Sequence, residues 1–146
     1  CSSDLSKEAL IHAVTDMLSA ELGPIESSSI AALADSLFER RIAPAMPAAN
    51  ARFGIEITAA SVSDAGLRER NITNLEHLRL DVEAAVRALV ASGAARDGAD
   101  PEAVGWIVQA HVLGTLGRNA VWQAQEGEAL RQALRLLLEG LLAPSR

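Results

Sequence analysis

The chain has 146 residues, 49% of them hydrophobic and only 3% aromatic, with 13 basic against 19 acidic side chains for a net charge of −6. That length makes one domain, able to bury roughly two thirds of its unfolded surface without metal or disulfide staples, and the acidic balance excludes any bulk attraction of these residues alone to a phosphate backbone. A single cysteine, Cys1, excludes an intrachain disulfide and fits a reducing, cytoplasmic compartment, and no apolar run reaches the roughly eighteen residues of a membrane span.

Abundant alanine and leucine with two Phe, two Trp and no Tyr favour helix over sheet, so the expected fold is all-α, an antiparallel bundle of about six helices. Ser6 is a good N-cap, and Ile11, Val14, Leu18 and Leu22 then share one face, which predicts a helix over 6–22 stopped at Gly23-Pro24. Three serines at 27–29 cap a second helix whose stripe is Ile30, Leu33, Ala34, Leu37, Phe38 and Ile42, with Arg40 and Arg41 closing it in favour of the helix dipole. Pro44 and Pro47 bracket a turn. The third helix, 47–62, puts Met46, Ala49, Phe53, Ile57 and Ala60 on its inner face. Glu56 shares that face, either snorkelling to water beside Arg52 or facing a ligand.

Ser63-Asp64 opens the longest helix, to about residue 92 with Gly93 as its C-terminal cap. Leu75, Leu78, Val82, Ala85 and Leu89 alternate by three and four, so this helix is the central strut, about 45 Å long. Asn71 falls in the middle of its apolar face, with Asn74 on the flank. A buried amide without partners costs about 1–3 kcal/mol, so a neighbouring polar group or a ligand has to satisfy Asn71. His77 projects away from that face toward solvent.

Asp100-Pro101-Glu102 supplies a cap, a first-turn proline and an acid, opening a helix to about residue 123 that is apolar nearly all round. Small residues recur along one stripe at Ala103, Ala110, Gly117 and Ala124, flanked by Gly114 and Val121. Trp106, Leu113 and Leu116 lie on one side, and Val104, Val108, Val112 and Trp122 on another. A last helix, 128–143, aligns Leu130, Leu134, Leu137, Leu138 and Leu141, leaving Leu136 and Leu142 over. The two helices carry more apolar surface than one small domain buries. A homodimer seam is therefore expected, built from Ala103, Ala110, Gly114, Gly117, Val121, Leu130, Leu134, Leu137 and Leu141.

Chemistry is sparse. No Gly-rich phosphate loop, nucleophile elbow or Cys/His pairing occurs, and His12, His77 and His111 stand on separate helices without a ligand at metal spacing. No catalytic residue, metal or cofactor is expected, and a small helical enzyme is the third-ranked reading. The eight residues expected to wall a small-molecule pocket are Phe53, Glu56, Ile57, Asn71, Asn74, Trp106, Gln109 and Leu113, three carboxamides and a carboxylate among apolar groups. Such a pocket takes a mostly apolar molecule, and Glu56 biases it toward cations or hydrogen-bond donors.

Ser6-Lys7-Glu8-Ala9-Leu10-Ile11 resembles the S-K-E-x-L segment with which TetR-type transcriptional regulators leave their helix-turn-helix and enter a connecting helix. Ser63-Asp64-Ala65-Gly66-Leu67-Arg68 is similar to the link between two pocket helices of that family, and Asp100-Pro101-Glu102-Ala103-Val104 with Gly114, and 130–144, are similar to its last two helices. Ser2, Ser3, Asp4 and Leu5 depart from the aromatics usual before S-K-E. The resemblance implies one effector-binding and dimerisation domain over 1–146, with 6–22 as the connecting helix, a pocket among the helices beginning near 27, 47, 64 and 100, and a four-helix bundle formed by the last two helices and their symmetry mates. DNA is then reached only through an upstream unit. The alternative is a lipid-anchored or periplasmic helical binding protein beginning at a modified Cys1.

Overall fold

Three of the described helices begin where a side chain replaces a missing backbone partner. A computed structural model describes residues 23–122 and 126–144, all-helical and without a strand among them; the expected helix over 6–22 lies outside the described residues. Helix α1 spans Ile30–Leu37, α2 Ala48–Ala60, α3 Ala65–Ala91, α4 Pro101–Trp122 and α5 Gly127–Leu142. The Ser29 hydroxyl accepts from the Ala32 N–H at 3.0 Å, Asp64 Oδ1 from the Leu67 N–H at 2.9 Å, and Asp100 Oδ1 from the Glu102 and Ala103 N–H groups at 3.0 and 3.2 Å. At the far end of α3, Gly93 takes φ +74°, and its own N–H and that of Ala94 return to the Val90 and Leu89 carbonyls. That hydrogen-bond pair is the Schellman stop for which glycine is suited.

One element departs from the expected regular helix over 30–42. From Phe38 to Ile42 the backbone widens into a π turn, with the Ala43 N–H on the Phe38 carbonyl, and then tightens into a 3-10 turn over Ala43–Ala45. Pro44 lacks the N–H that would have met the Arg40 carbonyl, and Arg41 Nη1 reaches that oxygen instead at 3.4 Å. Phe38 and Ile42 both point inward, at 5% and 1% exposure.

The main core lies where α1, the second half of α3, the first half of α4 and α5 meet. Leu33 and Leu37, Val82, Val86 and Leu89, Val108, and Leu134, Leu138 and Leu142 are all fully buried there. Each such side chain contributes about 1.5–3 kcal/mol of burial. Helix α5 is clipped to α1 by Arg131, whose guanidinium lies 4.4 Å over the Phe38 ring and pairs with Asp35 at 3.2 Å and with Glu39.

Helices α3 and α4 share the most extensive contact. At Gly105 the crossing is close enough that an added Cβ would press on Arg79 and Glu83. Glu83, buried at 4% exposure, is held by Arg79 and by Arg87 at 2.7 Å, and Arg79 also bonds Glu76 at 2.6 Å. Buried carboxylates persist only with such partners. No helix among the described residues is long and apolar enough to cross a membrane.

Candidate functional site

A groove of about 440 Å³ opens between the π turn, α3 and α4, lined by Arg41, Asn74, Leu75, His77, Leu78, Asp81 and Val112. Helical spacing explains the α3 contribution: 74, 75, 77, 78 and 81 fall at i, i+1, i+3, i+4 and i+7, one face of the helix. Leu75, Leu78 and Val112 form an apolar floor, and the other four side chains make a polar wall. The volume lies in the range of small-molecule sites. A wider concavity of about 630 Å³ at Gly93, Ala95, Arg96, Asp97, Gly98 and Pro144 is a surface turn at the opposite end of α3 from the α2–α3 link.

Arg41 enters the groove because the π turn carries it there. Its side chain is 8% exposed, and Nη2 reaches Asp81 Oδ2 at 3.3 Å and the Gly23 carbonyl at 3.4 Å. Burial pulls the guanidinium pKa down and Asp81 pulls it back up, with Arg40 adding a smaller repulsion; arginine stays charged throughout.

Of the eight side chains expected around a pocket, the structure brings only Asn74 to this groove. Glu56, expected on the inner face of its helix, is exposed, as is Ala49; Ile57 is buried as expected, Ala51 is buried with it, and Phe53 is half-buried. Asn71 donates to the Ser61 Oγ at 3.4 Å, and Gln109 Nε2 donates to the Leu75 carbonyl at 2.7 Å. Both amides therefore have partners within the chain. Trp106 and Leu113 face outward at 50% and 39% exposure, and Arg79 stacks 5.1 Å over the indole. The physical reason is that α4 is apolar on every side, so a helical wheel cannot tell which arc meets α3.

Sequence reasoning passed over Arg41 and Asp81 as groove residues; His77 is exposed, as expected, at the groove's edge. Arg41 read as a helix-end cation, and its neighbour Arg40 offered no contrast; only the π register separates them. Also passed over was the buried α4 arc toward its C-terminal end, where Thr115 and Asn119 are 5% and 1% exposed. Both amide atoms of Asn119 and the Nε2 of His111 are buried without a hydrogen-bond partner among the described residues.

Burial lowers the His111 pKa from its usual value, so the folded chain resists a proton that the unfolded chain accepts below about pH 6.5. Above that pH both states are neutral and His111 adds no pH dependence. As pH falls, the unfolded state binds the proton first and stability declines until the lower folded pKa is passed. The loss in melting temperature between about pH 7.5 and 5.5 should therefore shrink in His111→Gln. Equal slopes in calorimetry of parent and variant would count against it.

The residues expected at a dimer seam divide by burial. Ala103, Ala110, Gly114 and Val121 are exposed and Gly117 half-exposed, with open space beyond the Cα of both glycines. With Trp106, Ile107 and Leu113 they fall at three- and four-residue spacing along one outward face of α4. On α5, Leu134 lies wholly in the protomer's own core, Leu130 and Leu141 pack against that core, and Leu137 is half-buried. Leu142, expected to be left over, is fully buried, whereas Leu136 stands 58% exposed.

The architecture defines an all-α bundle with a polar-walled groove on one side and an uncovered small-residue helix face. Among solved structures the chain is similar to Salmonella enterica GusR, with a TM-score of 0.65 and 22% identity, covering 92% of this chain and 70% of that chain. At that identity the likeness is one of all-helical fold. No family model matches the chain, and no curated protein matches it.

Proposed function

We propose that the chain is the ligand-sensing, homodimerising regulatory domain of a TetR-like transcriptional regulator, without enzymatic activity, reaching DNA only through an upstream unit. The observation that carries this reading is the bare face of α4. Five of the nine large hydrophobics exposed among the described residues, Trp106, Ile107, Leu113, Val121 and Leu136, lie on the last two helices. Surface of that kind marks an interaction site. The likeness of fold to GusR, a TetR-family-like regulator, supports the class. A small effector would enter the groove at Arg41, Asn74 and Asp81, and would act by favouring one geometry of the two subunits over another.

Gly114→Leu and Gly117→Leu test the seam cleanly. Among the described residues nothing lies within 4 Å of a Cβ added at either position, and leucine is the better helix former by nearly 1 kcal/mol. Each variant should therefore keep its helicity and melt no lower as a monomer, yet fail to bring two copies of α4 close. Sedimentation should show a dimer for the parent and monomers for the variants. A parent that sediments as a monomer, or variants that remain fully dimeric, would remove the seam.

A further inference from the structure

We infer that the groove between the π turn, α3 and α4 selects an organic anion, a carboxylate carried on an apolar body. The inference rests on the reading of this chain as an effector-binding domain and names the class of effector.

The wall of the groove is rich in donors. Arg41 brings five N–H groups and no acceptor, Asn74 and His77 each bring both a donor and an acceptor, and Asp81 brings the single carboxylate. A cavity with that balance complements a ligand rich in acceptors. The guanidinium is also loosely held for so buried a group: its contacts among the described residues, to the Arg40 carbonyl, the Gly23 carbonyl and Asp81, stand at 3.4, 3.4 and 3.3 Å. Charge-assisted N–H···O bonds settle at about 2.7–2.9 Å, so these leave interaction energy unrealised. Two of the three also converge on Nη2, and the planar fork of arginine is suited to two parallel bonds from one carboxylate.

Asp81 does not cancel this preference. Its side chain is half exposed while that of Arg41 is 8% exposed, so the anion is the better hydrated partner and the cation the more desolvated one. Arg40 adds a second positive charge close enough to perturb Arg41. Below the polar wall, Leu75, Leu78 and Val112 offer an apolar floor, and contact with it supplies affinity that a bare inorganic anion cannot obtain. Glu56, the carboxylate that would have favoured cations, is exposed and away from the groove.

Three probes of one shape decide the matter: 4-phenylbutyrate, its neutral amide and 4-phenylbutylamine, titrated calorimetrically into the full chain. The carboxylate should bind about tenfold or more tightly than the amide, the energy of one charged hydrogen-bonded contact, and the amine should bind weakest. Arg41→Gln should abolish the preference and Arg41→Lys restore part of it. Because Arg41 is buried and its loss can compromise folding, Asp81→Asn provides an independent arm at a half-exposed position. Removing that competing negative charge should tighten carboxylate binding and leave the amide unchanged. Amine or amide binding as tight as the carboxylate, or carboxylate binding weakened by Asp81→Asn, overturns the anion assignment and leaves an effector site of another class. Absence of binding by all three probes overturns the groove as a site for amphipathic anions, while sedimentation of the same parent protein reports separately on the regulatory dimer.

Discussion

Leucine in place of Gly105 should destabilise the fold by on the order of 3 kcal/mol, the upper end of what overpacking costs. A Cβ at this position would stand 3.0 Å from Arg79 Cγ, 3.2 Å from the Arg79 carbonyl oxygen and 3.2 Å from Glu83 Cγ. Side chains can yield by a few tenths of an ångström, but the carbonyl belongs to the backbone of α3 and cannot move unless the helix does. Better helix propensity returns up to about 1 kcal/mol, which for Gly105→Ala nearly offsets the single added carbon. For leucine the remaining three carbons force α3 and α4 apart and strip the Arg79–Glu83–Arg87 cluster of its cover. Thermal denaturation should show a drop of about 6–12 °C for leucine and little change for alanine. A leucine variant as stable as its parent would mean that the crossing is not this close.

Removing three carbons from Leu138 should cost about 2–5 kcal/mol, because its surroundings can collapse only in part. Leu138 is fully buried in the core that joins α1, α3, α4 and α5. Leu136, two residues earlier and 58% exposed, should lose less than about 0.5 kcal/mol of protomer stability on the same truncation. Urea titrations should move the midpoint of Leu138→Ala at unchanged slope, as expected when stability alone changes. Comparable losses at 136 and 138 would contradict the orientation of α5. The pair also separates two roles, since a dimer seam that uses Leu136 weakens association rather than folding.

Apart from the π and 3-10 turns that follow Leu37, the existence, type and approximate ends of the described helices were legible in the sequence because their causes are local. The Asp64 and Asp100 caps, the Gly93 stop and the three-four alternation from Leu75 to Leu89 each act within a turn or two, and the structure places α3 at Ala65–Ala91 and α4 at Pro101–Trp122. The all-α class follows from the same local signals. Fewer parts of the candidate site could be read this way. Asn71 and Gln109 stood out as amides on apolar faces, and folding gave each a partner from a distant stretch, Ser61 and the Leu75 carbonyl. Arg41 and Asp81 are forty residues apart and carry no shared pattern; a π turn ending before Pro44 brings one of them to the other. Sequence therefore determined where backbone hydrogen bonds begin and stop and how apolar residues align along each helix. Tertiary structure alone decided which arc of the uniformly apolar α4 meets α3, which leucines of α5 are spent on the protomer's own core, and which polar groups share a groove, because burial and pairing depend on what another helix presents at the same point in space.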